Sequence, residues 1–214
     1  MEPTRLSREE AIQYWDARHR LEGDLRSGGH IGWDAPANEA FYLRRSALLL
    51  RLIGDRVGAS DPVFALDAGC GKGEFARVLG RCGVIVDGID ASPEAIAFCR
   101  READGRFMVS TLSDFRNSFL YDVVYSVDVL FHILDDDDWA RSLTNLATLV
   151  RLAGNLIVAD EGGETARPAG NYIVHRPLGA YTAVLEPLGF RFDSFTPYEF
   201  RENGVGLLSY VRVH

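Results

Sequence analysis

From residue 62 onward the chain alternates short apolar runs with stretches whose apolar residues recur every three or four positions. VFALDA, VIVDGID, RFMVS, YDVVYSVDV and NLIVAD read as strands, and EFARVLGRC, SPEAIAFCRRE and DDDDWARSLTNLATLVRL as the helices between them. SPEAIAFCRRE carries three agreeing start signals: Ser92 at the N-cap, Pro93 at the first helical position and Glu94 in the first turn. The continuous apolar stretch in YDVVYSVDV suits a strand covered on both faces. This alternation implies right-handed crossovers and a parallel, doubly wound α/β sheet. Two late runs, FRFDSFTPYEF and GLLSYVRVH, flank a turn at 202–206 and are expected to pair antiparallel.

Before residue 62 the pattern is helical. Residues 5–22 form one expected helix, with Ser7 as N-cap and Glu10 completing a capping box. Residues 38–53 form another, and the glycine-rich stretch 23–36 between them reads as an irregular loop. A second glycine-rich loop at 162–178 is expected to act as a flap, followed by a helix within 177–189. The expected organisation is one domain: 1–60 a helical lid and substrate region, 61–161 the cofactor-binding core, 162–214 the flap, helix and strand pair.

The length of 214 residues suits one such domain, and a hydrophobic share of 47% supplies a core. A net charge of −8 argues against a nucleic-acid partner, because phosphate backbones need basic surface. No apolar run approaches the roughly 18 residues of a membrane span, and the polar N-terminus does not read as a leader. Three cysteines, Cys70, Cys82 and Cys99, lack zinc spacing and read as free thiols, so a cytoplasmic protein without metal or membrane partner is expected.

The stretch LDAGCGKGEF at the end of the first core strand carries the chemistry. Gly69, Gly71 and Gly73 let a ligand approach the backbone where strands of an open sheet end. A dinucleotide fingerprint would need a third glycine at position 74, where this chain has Glu74. A carboxylate there repels a pyrophosphate, and the phosphate-binding loop is absent too. The expected ligand therefore has an adenosine-like body, no phosphates, and room for positive charge. Asp90 ends the second strand, 23 residues after Asp67, and suits two ribose hydroxyls.

Asp67-Ala68-Gly69-Cys70-Gly71-Lys72-Gly73 with Asp90 resembles the class I S-adenosylmethionine-dependent methyltransferases, whose first motif is (D/E)-x-G-x-G-x-G. The order of elements over 62–161 and the late strand pair also fit, and YWDAR with a downstream SGG is similar to small-molecule members. The resemblance implies a Rossmann-like, seven-stranded, mostly parallel sheet with a C-terminal antiparallel pair. It implies S-adenosyl-L-methionine as cofactor and a small-molecule acceptor methylated at O, N or C, such as a secondary metabolite. A monomer or homodimer is expected.

By that resemblance Gly69, Cys70 and Gly71 border the methionine, Asp90 takes the ribose, and Ala91 packs on adenine. Thr111, Leu112 and Ser113 line the other side of the base. The family often has Asp where this chain has Thr111, so the adenine amino group is expected to meet backbone groups or Asp114. Asp67 either orients the glycine loop or reaches the ligand's ammonium. Ser126 and Val127 pass the methionine, and Arg45 is available for its carboxylate. Tyr14, Trp15, Arg18 and His19 form either a lid over the cofactor or an amphipathic packing helix.

His132, in an L-x-H pattern beyond the fourth strand, is the candidate base; the alternatives are a structural histidine and a substrate contact. Asp135 to Asp138 open a helix and complement its dipole, with oxygen ligation of a metal as the other reading. Asp160, Glu161, Tyr172, His175 and Arg176 are candidate acceptor contacts. Aromatic residues at 14, 15, 33, 41, 42, 172 and 181 point to a planar or apolar acceptor. Two other functions stay open: binding the cofactor without methyl transfer, as in a cyclase or regulatory protein, and NAD(P)-dependent oxidoreduction, which Glu74 disfavours.

Overall fold

A computed structural model describes residues 5–22, 25–57 and 61–214. Its centre is a seven-stranded sheet. The first six strands, by sequence, are β1 (Phe64–Ala68), β2 (Ile85–Asp90), β3 (Phe107–Val109), β4 (Tyr121–Ser126), β5 (Val150–Asp160) and the small β6 (Arg167–Ala169). The rest are β7 (Ile173–His175), β8 (Phe190–Pro197) and β9 (Gly206–Arg212). The large sheet runs β3-β2-β1-β4-β5-β9-β8, and β6 pairs with β7 in a separate antiparallel hairpin. All neighbours from β3 to β5 are parallel, whereas β9 is antiparallel to both β5 and β8.

Period-two alternation sends apolar side chains to both faces. In β4, Val123 and Tyr125 enter one core and Val124 the other, while Tyr121, ahead of a register shift, also enters the second. The first face is covered by α2 (Ala35–Ile53), α3 (Glu74–Arg81) and α4 (Pro93–Glu102), through residues such as Leu49, Leu79 and Ile96. The second is covered by α5 (Asp136–Thr148) and α6 (Leu178–Leu185), through Trp139, Leu143 and Tyr181. Strand order reverses between β1 and β4, which opens a crevice beyond their carboxyl ends.

The first helix, α1 (Arg8–Leu21), has the expected capping box: Ser7 Oγ accepts from Glu10 N, and Glu10 Oε2 accepts from Ser7 N. It is held mainly by polar contacts. Asp16 Oδ1 accepts from Ser92 Oγ at 2.7 Å and Glu94 N at 3.2 Å, and Arg8 Nη2 donates to Asp114 at 2.7 Å.

Three element boundaries differ from expectation. Helix α2 starts at Ala35 because Asp34 caps it, accepting from Ala37 N at 2.9 Å, so the loop expected over 23–36 ends early and contains a short helical turn at Leu25–Ser27. Residues 23 and 24 of that loop lie outside the described residues. Helix α5 stops at Thr148 with Leu149 as its C-cap, and Val150 to Leu152 join β5. The stretch 162–178, expected to act as a flap and called the flap below, contains the β6–β7 hairpin, which its mixed composition hides.

Candidate active site

All three glycines of the β1–α3 turn have left-handed backbones, with φ of +83° at Gly69, +51° at Gly71 and +75° at Gly73. A Cβ at Gly69 would overlap the Val129 side chain, and one at Gly71 would press on His19 at 3.3 Å. The turn is fixed from the side by Asp90, whose Oδ2 accepts from Gly71 N and whose Oδ1 accepts from Ser92 N, both at 2.9 Å. Asp90 is thus oriented before any ligand arrives.

Above this turn lies a cavity of about 950 Å³. Gly69, Cys70, Gly71 and Val127 line its floor, and Asp90 and Ala91 one side. Thr111, Leu112 and Ser113 form a second wall, held by Asn145 Nδ2, which donates to Leu112 O at 2.7 Å. Helix α1 is the roof: Trp15 and His19 line the cavity. Arg18 instead turns away, donating to the carbonyls of Arg26 and Gly29, each at 2.6 Å. His19 is 5% exposed and burial lowers its pKa, against the pull of the Asp90 charge.

Arg45 also lines the cavity, although it is 1% exposed. Its guanidinium lies over the Phe41 ring at 3.8 Å and pairs with Asp128. Its Nη2 has no hydrogen-bond partner among the described residues. Asp128 stands just beyond β4 with φ of +58° and also accepts from the Tyr198 hydroxyl at 2.8 Å.

His132 lines the same cavity, half-buried, with Trp15 packed edgewise on its ring at 4.7 Å. Its Nδ1 lies 2.8 Å from the Tyr172 carbonyl, which can only accept. Nδ1 therefore carries the proton and Nε2 the lone pair. Burial pushes the imidazole pKa down to about 4; the Tyr172 carbonyl and the Asp128 carboxylate oppose that shift. The ring is neutral at neutral pH.

Comparison with known proteins follows the same lines. Residues 65–154 match the methyltransferase-domain family. Over 157 residues the chain is 28% identical to an O-methyltransferase of Aspergillus nomiae, covering 68% of each protein. Over 100 residues it is 33% identical to the ubiquinone biosynthesis O-methyltransferase of Methylocella silvestris, covering 44% of this chain and 38% of that protein. The fold matches magnesium protoporphyrin IX methyltransferase of Synechocystis PCC 6803, solved with S-adenosylhomocysteine, at a TM-score of 0.76 and 19% identity over 96% of this chain and 100% of that one. Residues 65–154 are thus a methyltransferase domain, and the chain has the fold of S-adenosylmethionine-dependent methyltransferases.

Asp67, Ser126, Tyr14, Tyr172, Asp160, Glu161, His175 and Arg176, all expected near the ligands, lie outside the cavity lining. Asp67 sits beneath the glycine turn, 1% exposed, with Oδ2 unpartnered. Ser126 is buried and donates to Ala68 O at 2.8 Å, a strand-to-strand tie. Tyr14 is 38% exposed and packs near Tyr172, whose own ring stacks on His132 at 5.7 Å. Glu161 pairs with Arg167. His175 and Arg176 are buried in the anchor of the flap, where Asp160 and Asp136 hold them. Of the aromatic residues read as acceptor walls, Trp15 and Tyr42 line the cavity, while Phe41 and Tyr181 are core.

Several site residues had no sequence signal strong enough to find them. Arg8 bridges Thr111, Ser113 and Asp114, a contact across about a hundred residues of chain. Asp128 and Tyr198 lie 70 residues apart in the chain. The acid run serves more than the helix dipole: Asp135 caps α5, Asp136 holds Arg176, and buried Asp138 meets Arg8 and Arg141. Among the described residues no cluster of three or more acidic, histidine or cysteine side chains could hold a metal, and no helix is long and apolar enough to cross a membrane.

Burial raises the Asp67 pKa to about 8, against the Tyr125 hydroxyl and the Ala76 backbone N–H; the Asp90 charge adds to the rise. The folded protein therefore holds this proton up to about pH 8, whereas the unfolded chain releases it near pH 4. Between those limits the folded state binds more protons, so stability falls as pH rises. Asp67→Asn removes that slope. Urea melts of the ligand-free protein at pH 5 and pH 7.5 should show the variant gaining on the wild type by about 1 kcal/mol or more per pH unit. Parallel curves would mean that Asp67 is already ionised.

Proposed function

We propose that this methyltransferase places the methyl group on a hydroxyl oxygen of a small planar acceptor, with His132 taking the hydroxyl proton. The observation that carries this reading is the His132 tautomer: Nδ1–H is committed to the Tyr172 carbonyl, which leaves a basic Nε2 as the ring nitrogen available to the cavity. The names of the fungal and bacterial relatives, both O-methyltransferases, support it. The edge of Trp15 beside His132 favours a flat acceptor.

The residues present fit S-adenosylmethionine. Arg45 Nη2, buried and unpartnered in the cavity wall, suits the carboxylate of the methionine portion. Asp90, with both oxygens already oriented by backbone N–H groups, suits the ribose hydroxyls. Ala91 and Leu112 flank the place of the adenine. Asp114 is committed to Arg8 and Thr111, so backbone groups near Leu112 and Ser113 are left for the adenine amino group. The left-handed turn at Gly69 and Gly71 keeps Cβ atoms out of the ligand's path. Asp90→Ala is expected to weaken S-adenosylhomocysteine binding by about 1–3 kcal/mol in calorimetry; unchanged affinity would count against the ribose assignment.

The bound cofactor supplies an electrophilic methyl on a sulfonium whose leaving group departs as a neutral thioether. The protein's part is to hold the acceptor oxygen in line, to exclude water, and to receive a proton. A base with a pKa of about 4 does not ionise a free phenol efficiently. It suffices once the oxygen begins to bond to carbon, because that oxygen then becomes strongly acidic. His132 therefore takes the proton during or after methyl transfer, and Asp128 stabilises the resulting imidazolium. Incubation with S-adenosylmethionine and a panel of phenols, catechols and matching anilines tests this. O-methylated products are expected; methylation of the anilines alone would overturn the choice of oxygen.

A further inference from the structure

We infer that Asp160 is a positioning residue: through the flap that it anchors, it holds the Tyr172 carbonyl against His132 and so sets which nitrogen of that ring faces the acceptor. The inference rests on the role given to His132 above. Asp160 ends β5, fully buried, and does not line the cavity. Its Oδ1 accepts from His175 Nδ1 at 2.7 Å and Glu161 N at 2.8 Å. Its Oδ2 accepts from the Tyr181 hydroxyl at 2.7 Å and Arg176 N at 3.0 Å. Four donors fill the carboxylate's acceptor positions.

Two of those donors, His175 Nδ1 and Arg176 N, belong to the C-terminal end of the flap. Strand β7 runs from there directly back to Ile173, and Tyr172 is the next residue. The Arg176 guanidinium reaches the other way, donating to Ile133 O at 2.9 Å and to Asp136 Oδ1 at 2.8 Å. The flap is thus pinned both to the sheet edge and to the segment that follows His132. Trp15 of α1 packs on His132, and the charged or titratable groups that act on it are Asp128 beyond β4, His175 of the flap and, from a guanidinium turned away, Arg18 of α1.

Asp160→Asn is diagnostic because an amide cannot replace this carboxylate in either orientation. Whichever way it turns, its NH2 meets a backbone N–H, that of Glu161 on one side or Arg176 on the other. The test is a histidine NMR titration of the S-adenosylhomocysteine complex. In the wild type His132 should remain the Nδ1–H tautomer. In Asp160→Asn it should become a tautomer mixture and titrate at least about one pH unit higher as water enters. S-adenosylhomocysteine affinity should stay within about twofold, and turnover of an accepted phenol should fall about tenfold or more.

Should Asp160→Asn fold poorly, His175→Leu cuts only the flap side and should shift His132 in the same direction. Tyr181→Phe removes a donor from the body of the protein and should leave the His132 tautomer in place. An unchanged His132 in both Asp160→Asn and His175→Leu would overturn the inference. A shifted His132 with undiminished turnover would support the placement by Asp160 and overturn the base role of His132 instead.

Discussion

His132→Gln should lower kcat for a hydroxyl acceptor by about 10²–10³-fold, with S-adenosylhomocysteine affinity nearly unchanged. Glutamine matches histidine's reach at Nε2 rather than at Nδ1, so it keeps the bulk of the side chain while weakening the contact with the Tyr172 carbonyl. What it lacks is a nitrogen that accepts a proton. The pH dependence separates this from a packing defect. Burial keeps the wild-type ring neutral down to about pH 4, so the acid limb of kcat/KM should lie well below the usual histidine range. The same shift has a stability consequence. Between about pH 4 and 6.5 the unfolded chain protonates this histidine and the folded one does not, so stability falls as pH drops through that window. His132→Gln should lose the acid limb of activity and flatten the acid side of the stability curve together. A variant with wild-type turnover would leave only positioning and in-line geometry to account for catalysis.

The sheet was legible because its strands obey one rule throughout. In β1, β4, β5 and β9 alternate side chains enter two separate apolar cores, so each strand reads as an unbroken hydrophobic run bounded by turns. Helix starts were legible where a short polar side chain meets a backbone N–H, as at Ser7 and Ser92. Helix ends were less so. The apolar residues after Thr148 continue a helical spacing, yet they join β5, where Ala153 with φ of +59° marks an irregularity that periodicity does not record. The β6–β7 hairpin has three residues per strand, too short for alternation to be counted.

The glycine-turn side of the cavity was legible for a different reason. A tight turn, a left-handed backbone and an acid at a fixed distance all lie within about 25 residues of chain, so their geometry follows from local spacing. The opposite side of the cavity and the 162–178 segment behind it are assembled from distant parts of the chain. His175 and Arg176, polar residues in a glycine-rich stretch, read as substrate contacts, but buried Asp160 and Asp136 at the start of α5 hold them in place. Nothing in their local sequence distinguishes a side chain aimed at a ligand from one aimed at a carboxylate 15 or 40 residues away. Arg8 and Asp16 escaped notice for the same reason: their partners, Asp114 and Ser92, belong to other turns of the sheet edge.

Arg45→Met should destabilise the protein by about 3–5 kcal/mol, because it leaves Asp128 part-buried without its cation. Methionine keeps the packing on Phe41 and Tyr42, whose rings lie 3.8 and 4.3 Å from the guanidinium carbon, so the loss reports charge more than volume. Asp128 is the critical partner. It occupies a left-handed conformation that costs about 1 kcal/mol or more, sustained by Arg45 on one oxygen and the Tyr198 hydroxyl on the other. Adding Asp128→Asn to Arg45→Met removes the stranded charge and keeps a side chain that tolerates this backbone. The double variant should therefore recover about 1–3 kcal/mol relative to Arg45→Met alone. Cofactor affinity should not recover, since the unpartnered Nη2 proposed for the carboxylate is absent from both. Stability regained without binding assigns two separate duties to one guanidinium. Binding regained with stability would mean that Arg45 only holds Asp128 in place, and that the carboxylate is met elsewhere in the cavity.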